Sequence, residues 1–159
     1  MITLYHGSNV AVEIPKILPK LRALDFGGGF YLTSSYVQAE RWAKVIFKRR
    51  QEGQPIVNIY TFDDERAIAL NVLQFKDANA DWLEFVVNNR KALKVFDYDI
   101  VIGPVANDAT LPVIDDYMDG RYTQEEAVRR LLPQNLTDQY AFCSEISLGY
   151  LTYQGREFV

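Results

Sequence analysis

The chain has 159 residues, 48% of them hydrophobic and 24% charged, with a formal net charge of −4. That suits one soluble domain, residues 1–159, with its own core, and the acidic balance gives no electrostatic drive toward nucleic acid. Cys143 is the sole cysteine, which excludes an internal disulfide, and it makes a poor zinc set with the sole histidine, His6.

No apolar run reaches the length a bilayer requires. Residues 1–9, MITLYHGSN, lack the basic and apolar regions of a signal peptide. The expected setting is therefore the cytoplasm, with no membrane partner.

In chain order, ITLYHGS reads as a strand running into a loop. KILPKL is ambiguous, since Pro19 argues against a long helix. GGGFYLT reads as a turn and then a strand, and Ser34 or Ser35 can cap the helix that follows. In that helix Ala39, Trp42, Ala43 and Ile46 recur at three- and four-residue steps, which marks one buried face. Its end, Lys44 to Arg50, is a basic run that suits the C-terminal turn of a helix. QEGQP breaks the helix, and IVNIYTF and AIALNVLQF follow as strands.

Asp81 to Leu93 reads as a helix, YDIVIGPVA as an apolar strand ending at Gly103-Pro104, and NDATLPVIDDYMDG as a long irregular stretch. TQEEAVRRLL is a helix with Thr123 and Glu126 in the capping-box pattern. QYAFCSE and YLTYQGREFV read as two further strands. Strands that do not alternate strictly with helices predict a mixed α+β domain. GGGFYL lacks the spacing of a dinucleotide fingerprint and runs into a strand, and no Lys-Ser/Thr of a phosphate-binding loop follows it.

Three stretches taken in order carry a resemblance: LYHGSN at residues 4–9, FGGGFYLTSSYVQAERWA at 26–43, and DQYAFCS at 138–144. They resemble the three motifs of ADP-ribosyltransferases of the His–Tyr–Glu class, which includes diphtheria toxin and the poly(ADP-ribose) polymerases. His6-Gly7-Ser8 matches the first motif and Tyr31 the second, with Trp42 at the eleven-residue offset of the second aromatic. Gln139 stands where the class has its glutamate. Within that class the chain is similar to a bacterial group, on the stretches DWLEFVVNNR and YDIVIGPVANDATLP.

The resemblance implies a split β-sheet of two antiparallel sheets with flanking helices. It implies NAD as substrate, no metal, and transfer of ADP-ribose to a macromolecular acceptor that the sequence does not identify. Tyr31 and Trp42 are then expected to hold the nicotinamide ring, a cation between two aromatic faces. His6 is expected to hydrogen-bond a ribose hydroxyl, and Gly7 to offer backbone groups to the nicotinamide amide. The loop from Lys16 to Gly28 is expected over the adenosine end, with the glycines letting backbone approach the dinucleotide. Chains of this kind resemble toxins of toxin–antitoxin pairs, which implies a neutralising partner protein.

Gln139 departs from the pattern, because an amide accepts the same hydrogen bond as a carboxylate but carries no charge. Asp138 faces away from Gln139 on a strand. Glu145 shares the face of Gln139 but lies roughly 20 Å along an ideal strand, and an alternative alignment makes Glu145 the catalytic acid. Two other readings stay open: a non-catalytic NAD-binding module, and an NAD glycohydrolase. The pairing of Cys143 with His6 as nucleophile and base is a weaker rival, since Cys143 falls in phase with Gln139 and Ala141 and reads as a small buried hydrophobe.

Overall fold

A computed structural model describes residues 1–17, 24–91 and 97–159 of the chain. The KILPKL stretch lies largely outside the described residues, as does the end of the helix expected to reach Leu93.

The elements are β1 (Ile2–Ser8), β2 (Phe30–Leu32), α1 (Tyr36–Arg50), β3 (Ile56–Phe62), β4 (Val72–Gln74), α2 (Ala80–Arg90), β5 (Ile100–Pro104), α3 (Leu111–Met118), α4 (Gln124–Leu131), β6 (Asp138–Phe142), α5 (Glu145–Leu148) and β7 (Leu151–Phe158). They build the expected α+β architecture with two sheets. One sheet runs β1-β3-β7 and is antiparallel throughout; the other runs β2-β6-β5-β4.

The second sheet corrects the expectation of two antiparallel sheets. β4 pairs parallel to β5, Val72 opposite Ile100 and Gln74 opposite Ile102. Parallel neighbours need a crossover rather than a hairpin, and α2 supplies it. The expected strand AIALNVLQF also divides. Arg66–Ala69 form a short 3₁₀ turn, started by Asp63, whose carboxylate accepts from the Arg66 amide at 3.1 Å, and only Val72–Gln74 pair.

Two further differences lie late in the chain. The stretch expected to be irregular contains α3. Asn107 turns the chain by accepting from the Ala109 and Thr110 amides, both at 3.0 Å, and Pro112 sits in the first turn of the helix, where no N–H is required. Ile114 then anchors the helix, fully buried. β6 stops at Phe142, short of the expected SerGlu end, because the Ser144 hydroxyl caps α5 by accepting from the Ser147 amide.

Among the described residues the sheets meet at a bridge where the Tyr5 and Thr33 backbones exchange hydrogen bonds of 2.8 and 2.9 Å. On one side, Leu4, Phe30, Leu32, Tyr60, Phe62, Ile100 and Phe142 close into a core between the sheets. Strand alternation sends Gly7, Tyr31, Ala141 and Val101 to the opposite face. There α1 covers β1, while Trp82, Val86, Ile114 and Leu131 from α2, α3 and α4 pack with Val101 and Ala141 in a second core. No helix among the described residues is long and apolar enough to cross a membrane.

Candidate functional site

α1 is placed by two polar devices at its start. Ser35 is its N-cap, accepting from the Gln38 amide at 3.2 Å. Asp138 holds the residues just before it: one carboxylate oxygen accepts from the Ser34 amide at 2.8 Å and the Thr33 hydroxyl at 3.1 Å, and the other accepts from the Ser34 hydroxyl. Asp138 thus points away from Gln139, as strand alternation predicts, and ties β6 to the head of α1.

The helix then lies flush on β1. A Cβ on Gly7 would stand 2.1 Å from the Ala39 carbonyl oxygen and 2.7 Å from the Ala43 amide nitrogen. Gly7 is therefore required by packing between strand and helix. The same logic applies to the glycine run. A Cβ on Gly29 would meet the Phe142 carbonyl at 2.9 Å, and Gly27 takes φ of +82° facing Asn89. These close approaches of Gly27 and Gly29 are made to the protein itself, so the two residues serve the packing of the loop.

Where β1 and β2 part beyond the Tyr5–Thr33 bridge, a cavity of about 570 Å³ opens. That is within the usual range of small-molecule sites. His6, Gly7, Tyr31, Trp42 and Gln139, read from three separate stretches of sequence, all line it. From α1 the lining residues are Trp42, Val45, Ile46 and Arg49, the i, i+3, i+4, i+7 stripe of one helix face. Asp25, Arg90 and Leu111 complete the polar and apolar wall opposite.

His6 spans the parting of the sheets. Its ring packs on Phe30 with centroids 4.3 Å apart, and its Nδ1 lies 2.7 Å from the Tyr31 carbonyl. A carbonyl only accepts, so Nδ1 carries the proton and Nε2 is left as an acceptor. Burial pushes the imidazole down to about 4, against the opposing pull of the Tyr31 carbonyl, so the ring is neutral at pH 7.

Tyr31 presents its ring to the cavity and commits its hydroxyl to the glycine loop. The hydroxyl donates to the Gly27 carbonyl at 2.5 Å and accepts from the Phe26 amide at 3.1 Å. Burial pushes its ionisation far above the ordinary tyrosine range. The hydroxyl is thus a structural clasp, a role the sequence did not suggest.

Gln139 is 4% exposed, and among the described residues its Nε2 has no hydrogen-bond partner. A buried amide donor without a partner is costly in a folded protein.

Sequence reasoning missed Asp25, Arg49 and Arg90. Asp25 accepts from Arg90 through Nε at 2.8 Å and Nη2 at 2.7 Å, a half-buried pair that pins the glycine loop to the end of α2. Arg49 belongs to the basic end of α1, yet its seven-residue offset from Trp42 places it on the cavity side. Of the loop expected over the adenosine end, Leu24 and Asp25 border the cavity, and residues 18–23 lie outside the described residues.

Glu145 does not replace Gln139. It is exposed in the first turn of α5, beyond the end of β6, and does not line the cavity. Cys143 is half-buried, with its sulfur donating to the Ala141 carbonyl at 3.4 Å; burial pushes the thiol up to about 11, and it stands outside the cavity lining. It has the character of a packed, un-ionised thiol rather than a nucleophile.

A family model described as "Protein of unknown function (DUF3990)" matches residues 2–153, and the chain belongs to that family. No curated protein and no solved structure matches the chain.

Proposed function

We propose that this chain is an NAD-dependent mono-ADP-ribosyltransferase, and that its two sheets, joined at Tyr5–Thr33 and parted beyond it, are the split sheet of the His–Tyr–Glu class. One observation carries the reading: residues matched to that class in three distant motifs converge on a single cavity. Motif residues chosen for other reasons would have no cause to meet there.

The residues fit such a substrate. Tyr31 and Trp42 offer aromatic faces for a cationic pyridinium, contacts worth about 0.5–2 kcal/mol each when desolvated. Neutral His6 offers Nε2 to a ribose hydroxyl. Arg49 lies about 10 Å along α1 from Trp42 at 1.5 Å rise per residue, and its guanidinium suits a diphosphate. Gln139 accepts from the ribose beside the reacting carbon. NAD supplies an N-glycosidic bond to a cationic pyridinium leaving group, whose cleavage leaves positive charge on the sugar. An uncharged amide opposes that charge less well than a carboxylate, at a cost of about 10²–10³ in rate.

The test is incubation with NAD labelled in its adenylate portion, with nicotinamide release and transfer of label followed together. Both are expected, and both should vanish in Gln139→Ala. Failure of NAD to bind at all refutes the reading. The neutral amide at Gln139 favours one second reading, an NAD-binding module without turnover; saturable binding with no nicotinamide release identifies it. Free ADP-ribose without labelled macromolecule identifies a glycohydrolase. The toxin–antitoxin setting rests on the resemblance alone.

A further inference from the structure

A second cavity, of about 440 Å³, opens on the other face of β6. Gln139 lines the first cavity and Tyr140, the next residue, lines the second, as strand alternation requires. Gln74, Ile102 and Tyr140 stand in register across β4, β5 and β6 and form one wall. The 3₁₀ turn that leads into β4 supplies Ile68, and Leu70 follows it. The lining side chains are apolar apart from Asp64, Gln74 and the Tyr140 hydroxyl.

β4 borders this cavity and is the edge of its sheet, paired with β5 alone among the described residues. The Phe75 amide donates to the Ile102 carbonyl at 2.8 Å, and the Asn71 carbonyl accepts from the Asp99 amide at 2.8 Å. The backbones of residues 71 and 75 therefore turn toward β5. Alternation turns Leu73 the same way and directs the N–H and C=O of Val72 and Gln74 outward. Ile68 is 87% exposed and Val72 is 38% exposed. One exposed isoleucine is ordinary. An exposed isoleucine that lines a largely apolar cavity, beside an unpaired strand edge, has the make-up of a strand-addition site.

The approach to the turn is acidic. Asp63, Asp64 and Glu65 precede it, and Arg66 is the one cation among these four residues. The Asp64 carboxylate lies 2.7 Å from the Met1 amino nitrogen, an exposed pair of small worth that shows the carboxylate placed to take a cation. A second copy of this chain, docked edge to edge about a two-fold axis, would set these same carboxylates against one another. The charge favours a different, cationic partner.

We propose that this edge docks an extended segment of a partner protein by strand addition. The segment pairs with the outward backbone of Val72 and Gln74, places an apolar side chain in the cavity against Ile68, and sets a lysine or arginine beside Asp64. β4 is only three residues long, so backbone pairing fixes the direction of the segment while the apolar anchor and the charge contact select it. The proposal does not depend on the NAD reading, because the two cavities lie on opposite faces of β6.

The experiment selects random dodecapeptides displayed on phage against the full chain, then titrates the recovered sequences as synthetic peptides by fluorescence anisotropy. The expected peptides alternate apolar residues with polar ones, carry more Lys and Arg than Asp and Glu, and bind saturably. Ile68→Ser changes an exposed side chain, so folding is retained, and it should weaken binding by about ten-fold or more. On the unaltered chain, bound peptide should slow hydrogen exchange at the Val72 and Gln74 amides, and saturating NAD should not displace it. Failure to recover a binder, acidic peptides, or affinity unchanged in Ile68→Ser overturns the proposal. Unprotected Val72 and Gln74 amides overturn strand addition, and displacement by NAD places the peptide in the other cavity. A dimer of the chain that Ile68→Ser abolishes assigns the edge to a second copy and overturns the cationic partner.

Discussion

Gly7→Ala separates two roles for one residue. A ligand-contacting glycine can gain a methyl with little effect on folding. In this structure the added Cβ would stand 2.1 Å from the Ala39 carbonyl oxygen, 2.7 Å from the Ala43 amide nitrogen and 3.0 Å from the Trp42 Cβ. The first two are backbone atoms inside a helix and cannot rotate aside, so α1 must lift from β1 by about 1 Å or more to restore an ordinary contact. Ala39 and Ala43 are fully buried in that interface, and separating them from β1 forfeits their packing. The expected loss is about 3 kcal/mol or more, at the upper end of overpacking costs because no flexible side chain can yield. Urea denaturation followed by circular dichroism measures it without any ligand. Trp42 rides on the displaced helix, so NAD affinity should fall as well. A Gly7→Ala protein with an unchanged urea midpoint would refute the packing argument and return Gly7 to a purely ligand-facing role.

Other expectations follow from the same geometry. Burial lowers the His6 pKa from 6.5 to about 4, so the folded state disfavours the imidazolium. Its contribution is present above pH 6.5 and is lost as pH falls toward 4, by up to about 3 kcal/mol. Urea titrations at stepped pH should show this loss in the wild type and a flatter profile in His6→Gln; parallel profiles count against it. In Tyr31→Phe the Gly27 carbonyl and Phe26 amide lose their shared partner, at a cost of about 1–2 kcal/mol. Hydrogen exchange at the Phe26 amide should accelerate, and unchanged protection would show that the hydroxyl is not the clasp. Tyr31→Ala should weaken NAD binding further, because it removes the ring as well. Asp138→Ala frees the Ser34 amide and the Thr33 and Ser34 hydroxyls, and should cost about 1–3 kcal/mol. A thermal melt equal to the wild type would show that Asp138 does not anchor the head of α1.

Much of this molecule is legible along the chain because its signals are local. The Ser35 and Thr123 caps, the apolar stripe of α1 and the alternation of β3 each depend on residues within one or two turns. The same holds for His6, Tyr31, Trp42 and Gln139, whose residue types and order carry the resemblance without coordinates. Local reading failed where a second signal had to be weighed. Leu111, Pro112 and Ile114 do mark a helix, but the Asp- and Asn-rich flanks of α3 argue for a loop. Ser144 can continue a strand or cap a helix, and only the buried Leu148 and Ser147 decide for the cap.

What the sequence alone determined is therefore the set of elements that follow from spacing, together with the short motifs that name the cavity's principal residues. How residues far apart in the chain face one another is set by packing alone. The parallel pairing of β4 with β5, the hold of Asp138 on Ser34, the Asp25–Arg90 pair and the fit of Gly7 against Ala39 each join partners from separate elements. That Gln139 Nε2 has no partner among the described residues is likewise visible only when the neighbouring elements are in place. Periodicity records which side of an element is buried. It holds no record of what that side is buried against, and the chemistry of the cavity is set by that second fact.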